Sequence, residues 1–150
     1  MTSTHAVAND CFLSRASEWS APDGAAPTQA QMDIARLLFR AGDRHVTSAE
    51  IAAEALLRDM PYGFGEIDAA MRLFAETGWV RKLSLDTHED VFDTNTSDHH
   101  HFFDLSTGQV TDIPKDVSFA DLTVPPDGME IVNIDVVVTV RPKATHPARA

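Results

Sequence analysis

The feature that most limits the fold is the order of punctuation between residues 27 and 94. Three amphipathic stretches come first, and β-type stretches follow. Pro27 and Thr28 open a helix that the pattern carries to about Ala41, with Ile34, Leu37 and Leu38 as its apolar stripe and Gly42 as its stop. Thr47 and Glu50 form a capping box, TSAE, ahead of a second helix whose buried side is expected to be Ile51, Ala55 and Leu56. Pro61, Tyr62 and Gly63 end it. A third helix is expected from about Gly65 to Thr77, with Ile67, Ala70, Met71 and Phe74 facing inward. Glu66, Asp68, Ala69, Arg72 and Glu76 are left outside. WVRKLSL then reads as a strand, DTHED as a turn and VFDT as a returning strand. Three short helices followed by a β-hairpin is the layout of a winged helix-turn-helix, with the third helix in the reading position.

The second informative stretch is VFDTNTSDHHHFFDLSTGQVTDI, residues 91–113. Successive side chains of a strand face opposite sides. His99 and His101 are therefore expected on one face, with His100 on the other. Asp93 and Asp112 flank the run on neighbouring strands. Imidazoles and carboxylates gathered on one side suit a divalent ion with nitrogen and oxygen ligands. Each taken alone has a plainer reading: His45 as a surface or capping histidine, and the two aspartates as strand-end carboxylates.

Beyond the histidines, strands are expected near 102–105 and 109–113 around a Ser106-Thr107-Gly108 turn, and a short helix within DVSFADL. EIVNIDVVVTVRP reads as a strand from Glu130, apolar enough to be covered on both faces. Upstream, DCFLSRASEW suggests a short amphipathic helix.

The division expected is an extension and linker over 1–26, a winged-helix domain over 27–94, a second domain over 95–143 and a disordered tail over 144–150. The fold class is α+β. The net charge of −11 is uneven, −3 over residues 1–82 and −8 over 83–150. A nucleic-acid surface in the second half is thereby excluded, while a local basic patch in the first is not. With one cysteine, Cys11, neither an internal disulfide framework nor a CxxC zinc clamp can form. No signal peptide and no membrane-length apolar run is visible, so a cytoplasmic location is expected. No nucleophile elbow or phosphate loop is found, and the chain is not expected to be an enzyme.

GDRHVTSAEI, the Ala-Glu-Thr-Gly-Trp-Val-Arg helix end, VFDTNTSDHHHFF and VTDIP together resemble the ferric uptake regulator superfamily over about residues 24–142. The DTNTSDHHHFF block is most similar to its iron response regulator branch. The resemblance implies a homodimer binding double-stranded DNA, each subunit a winged-helix domain followed by a small α/β dimerisation domain. It implies a regulatory metal site of His45, Asp93, His99, His101 and Asp112, for iron, manganese or zinc. In the iron response branch it also leaves haem open, with His100 as a second-site ligand. Arg36, Arg40, Glu66, Asp68, Ala69, Arg72, Arg81 and Lys82 fall on the DNA-facing surface.

Several positions depart from the family pattern. Where a CxxC zinc clamp often stands, this chain has Asp104 and Thr107, and Cys11 is followed by Phe12 rather than proline. The reading helix has GFGEIDA, with Glu66, Asp68 and Ala69 replacing threonine, tyrosine and a polar or basic residue. Gln29 and Gln31 stand where arginines are usual. Two carboxylates facing phosphates repel them. A second reading therefore stays open: a metal-binding relative with weakened DNA binding, acting through protein partners such as a DNA-competent homologue.

Overall fold

A computed structural model describes residues 19, 21–114, 124–132 and 134–143. The chain divides into two compact units, Met1–Thr96 and Ser97–Ala150. Its elements, in order, are α1 (Gln29–Leu38), β1 (His45–Thr47), α2 (Ser48–Leu56), α3 (Phe64–Glu76), β2 (Arg81–Lys82), β3 (Val91–Asp93), β4 (His101–Asp104), β5 (Val110–Asp112) and β6 (Val137–Val140).

In the first unit the helices begin where the sequence says they should. Thr28 caps α1 and Thr47 caps α2, each with its hydroxyl on the N3 backbone and the N3 side chain returning to the cap. Each such cap contributes about 1 kcal/mol. The inward faces meet in one core. Ile34, Leu38, Ile51, Ile67, Met71, Phe74 and Phe92 are fully buried in it. Trp79 closes this core against Phe74 and Phe39, with ring centroids 5.3 and 5.9 Å away. Trp19 packs on Trp79 at 5.1 Å and donates its indole N–H to Thr77 Oγ1 at 2.8 Å.

Four expectations need correction here. The first helix stops at Leu38, short of Ala41, with Phe39 as its C-cap. Leu56 is 76% exposed rather than buried. Ile51 and Ala55 are four apart and share a face, whereas Leu56 lies a further 100° round the helix. The WVRKLSL strand shrinks to Arg81–Lys82. Trp79 and Val80 are drawn into the helical core instead, and Leu83 N–H still reaches Val91 O at 2.9 Å. An unforeseen strand, β1, joins the hairpin, giving an antiparallel sheet in the order β1-β3-β2. Its three residues precede a capped helix, and nothing local distinguishes so short a strand from a loop.

The second unit carries a three-stranded sheet in the order β5-β4-β6, with β4 antiparallel to β5 and parallel to β6. The β4–β5 connection turns through Gly108 at φ +71°, a conformation that favours glycine. Asp104 braces the turn by accepting from the Ser106 N–H and hydroxyl, which holds its carboxyl below the usual range. Phe103, Val110 and Ile113 are buried. The long apolar strand is much shorter than expected, Val137–Val140 alone. Ile131 and Val132 lie outside it, and Val132 is 91% exposed. Continuous apolar character does not fix a strand without a neighbour to pair with, and the pairing available on β4 spans four residues. The helix expected within DVSFADL, the N-terminal helix before Trp19, Cys11 and the tail lie outside the described residues. Among the described residues no helix is long and apolar enough to cross a membrane.

Candidate metal centre

The first unit brings His45 and Asp93 together. Antiparallel pairing sets His45 of β1 directly across from Asp93 of β3, and Arg81 of β2 across from Asp93 on the other side. Directly opposed residues of an antiparallel pair project to the same face. His45 Nε2 lies 3.7 Å from Asp93 Oδ2. The aspartate is 1% exposed, and its Oδ1 accepts the Asn95 N–H at 2.8 Å. Both residues are fixed by their neighbours. Thr47, two residues after His45, ends the strand and caps α2 at once. Thr94, next to Asp93, exchanges backbone and hydroxyl bonds with Arg44.

The second unit brings together His99, His101 and Asp112. The β4–β5 register places His101 opposite Asp112. His99, two residues earlier, lies on the same side, its ring centroid 4.5 Å from that of His101. Nε2 of His99 is 3.4 Å and Nε2 of His101 is 3.8 Å from Asp112 Oδ1. Both rings are buried, while the Asp112 side chain is 45% exposed, so the trio has an open side.

The tautomer of His99 is decided by its other nitrogen. Nδ1 lies 2.8 Å from the Ser97 carbonyl oxygen. A carbonyl only accepts, so Nδ1 carries the hydrogen and the Nε2 of the neutral ring presents a lone pair. That lone pair faces a carboxylate, and two acceptors at 3.4 Å need a proton or a cation between them. A ring held through Nδ1 by a backbone carbonyl, with Nε2 toward a carboxylate, is the arrangement metal-ligating histidines adopt. The donors of this trio, two imidazoles with one carboxylate, are of the types a borderline divalent ion takes.

His100 points elsewhere, as the alternation requires. Its Nδ1 accepts the Val136 N–H at 3.4 Å, and its carbonyl takes the Ile113 N–H at 2.7 Å. It serves the join between β4, β5 and the approach to β6.

The surface expected to face DNA is dominated by internal pairing. Arg36 bonds Asp33 at 2.8 Å, and Arg40 lies 3.9 Å from Glu54. Arg72 bridges Asp68 at 2.9 Å and Asp90 at 3.0 Å, and Lys82 reaches Asp90 at 2.9 Å. Asp68 also accepts from the Ser48 hydroxyl at 2.8 Å. The Arg72 guanidinium first, and then Ser48, holds the Asp68 carboxyl below its ordinary 3.8. Glu66 and Ala69 are exposed.

Residues that sequence reasoning did not connect with the donors are Ser97, Thr94, Glu54 and Arg44, the last read only as one of the basic groups of the first unit. Ser97 acts through its carbonyl, which no side chain advertises. The Arg44–Glu54 pair joins residues ten apart on different elements, a spacing without local meaning.

The second unit of this α+β chain gathers two imidazoles and a carboxylate, side chains of the types that ligate divalent metals. The profile described as "Ferric uptake regulator family" matches residues 23–139. The chain belongs to that family of metal-responsive transcription regulators. Among solved structures, the ferric uptake regulator from Pseudomonas aeruginosa with manganese superposes with a TM-score of 0.66 at 21% identity, over 89% of this chain and 97% of that one. The regulator from Francisella tularensis with iron gives 0.67 at 17%, over 80% and 93%. The Vibrio cholerae regulator gives 0.65 at 17%, over 89% and 98%. At these identities the likeness is one of fold. No curated protein matched the sequence.

Proposed function

We propose that this protein is a homodimeric, DNA-binding regulator of iron homeostasis, of the iron response regulator type, that reads a divalent metal through His45, Asp93, His99, His101 and Asp112. The observation that carries this reading is the convergence of His99 and His101 Nε2 on Asp112, with the His99 tautomer set by Ser97. The second donor pair, His45 and Asp93, is held in register by β1 and β3. The DTNTSDHHHFF block, with Asp104 and Thr107 in place of a CxxC clamp, supports the branch.

A bound divalent ion would supply one positive charge centre shared by donors from both units. His45 and Asp93 belong to the unit that carries α3, and the other three donors belong to the unit that carries β4 and β5. A ligand set drawn from two units is complete in one relative arrangement only, and whatever completes it favours that arrangement by mass action. In a dimer this sets the separation of two reading helices against groove repeats about 34–36 Å apart. Manganese and iron accompany two of the solved relatives, and either suits this donor set.

A specific observation favours a second reading, in which DNA binding is weakened and the protein acts through partners, including a DNA-competent homologue. Asp68 lies in the second turn of α3 and engages its own Arg72, and Glu66, in the first turn, is exposed. Selection from random double-stranded DNA with and without Mn(II) decides between the readings. A recovered consensus whose binding falls steeply with salt supports the regulator. Recovery of no sequence under either condition supports the second.

A further inference from the structure

We infer that Arg44 is a positioning residue for the His45–Asp93 donor pair, acting through Glu54 of α2; this rests on the metal reading of that pair. β1 has only three residues, so its ladder sets His45 opposite Asp93 with little length to steady it. Its position comes from what brackets it. Thr47 caps α2 on the far side. On the near side stands Arg44. Its backbone N–H donates to Thr94 Oγ1 at 2.7 Å, and its carbonyl accepts the Thr94 N–H at 3.0 Å. Arg44 adjoins His45 and Thr94 adjoins Asp93, so this clasp locks the two donors' backbones together one residue outside them.

The Arg44 side chain anchors the clasp to the helices. Its guanidinium forks onto Glu54, with Nη2 against Oε1 and Nη1 3.4 Å from Oε2. Nη1 also lies 3.5 Å from the Leu37 carbonyl in the last turn of α1. Both side chains are largely covered, 18% and 24% exposed, so the pair is shielded from the solvent that weakens surface ion pairs. Arg44 thus ties α1, α2 and the donor-bearing ends of β1 and β3 at one point. A two-pronged guanidinium–carboxylate contact fixes direction as well as distance, which a lysine in its place would not. This role also removes Arg44 from the groups available to phosphates.

The experiment is a cycle read by Mn(II) affinity, measured by competition with a chromophoric chelator, alongside urea unfolding of the metal-free protein. Arg44→Gln and Glu54→Gln are each expected to weaken Mn(II) binding by about 10-fold, the usual scale for a group that orients a ligand. The double variant should be no weaker than the worse single, since the two act as one device. In a background lacking both donors, His45→Ala with Asp93→Asn, Arg44→Gln should change nothing further, and in the parent Arg44→Lys should keep only part of the affinity. An additive loss in that double-donor background would overturn the role, because a general structural defect would act with or without the donors. Unchanged affinity in Arg44→Gln and Glu54→Gln, with His45→Ala weakened, overturns it as well. If His45→Ala itself binds Mn(II) as the parent does, the metal reading of this pair falls and takes the positioning role with it. Should Arg44→Gln fail to fold, Glu54→Gln carries the same comparison.

Discussion

The outer face of α3 and the histidine trio handle charge in opposite ways. Around α3 the charges answer one another within the chain: Arg72 lies between Asp68 and Asp90, and Lys82 also rests on Asp90. In the trio a carboxylate faces imidazole nitrogens, and at His99 the Ser97 carbonyl turns a lone pair toward it. The first arrangement asks little of the solvent and offers little to a phosphate backbone. The second invites a cation. The difference teaches that acidic residues mark a ligand site only where their neighbours are themselves acceptors; the same residue type beside a guanidinium marks a closed ion pair.

The strongest way to break this contrast is to remove the trio's nitrogens. His99→Ala with His101→Ala should lower Mn(II) affinity by more than about 100-fold, beyond the range of outer-shell changes. Isothermal titration with an unchanged stoichiometry and affinity would show that the trio is no site. Next, Asp93→Asn should weaken binding by about 10- to 100-fold and leave a residual site, since His99, His101 and Asp112 remain as donors. Equal losses in the two variants would mean that the units contribute alike.

A smaller effect tests the other side of the comparison. Glu66→Gln with Asp68→Asn removes two negative charges from α3 and releases Arg72. Nonspecific DNA affinity at low salt should rise by roughly 10-fold, with a steeper salt dependence. No change would indicate that α3 does not face the nucleic acid. Smaller again, Leu56→Gln should shift stability by no more than about 0.5 kcal/mol in urea unfolding, because its side chain is already in solvent. The smallest effect is a titration. The Asp68 carboxyl, held low first by Arg72, stabilises the fold above its ordinary 3.8, and this contribution fades as pH falls through the lowered value. In Arg72→Gln its carboxyl-carbon chemical shift should titrate closer to 3.8.

Much of the first unit was legible because its signals are local. Pro27 with Thr28, and Thr47 with Glu50 three residues on, announce helix starts, and Ile67, Ala70, Met71 and Phe74 repeat with the helical period. Leu56 misled because apolar type was read without its angle on the helix. Ile131 and Val132 misled because strand propensity states a preference and pairing decides it. Within the site, the two-residue spacing points to His99 and His101 on one side, although β4 itself begins only at His101.

The sequence by itself determined which residues could ligate a metal and which faces of α1 and α3 turn inward, because capping, period and donor chemistry are properties of neighbours along the chain. Only the tertiary structure decided that His45 meets Asp93 across a strand of three residues, that Ser97 fixes the His99 tautomer, and that Arg72 spends its charge on Asp68 and Asp90. Register, backbone carbonyls and ion pairs between elements arise from which strands pair and which helices pack. Those choices are made by the whole chain at once, through burial and the need to satisfy every buried polar group.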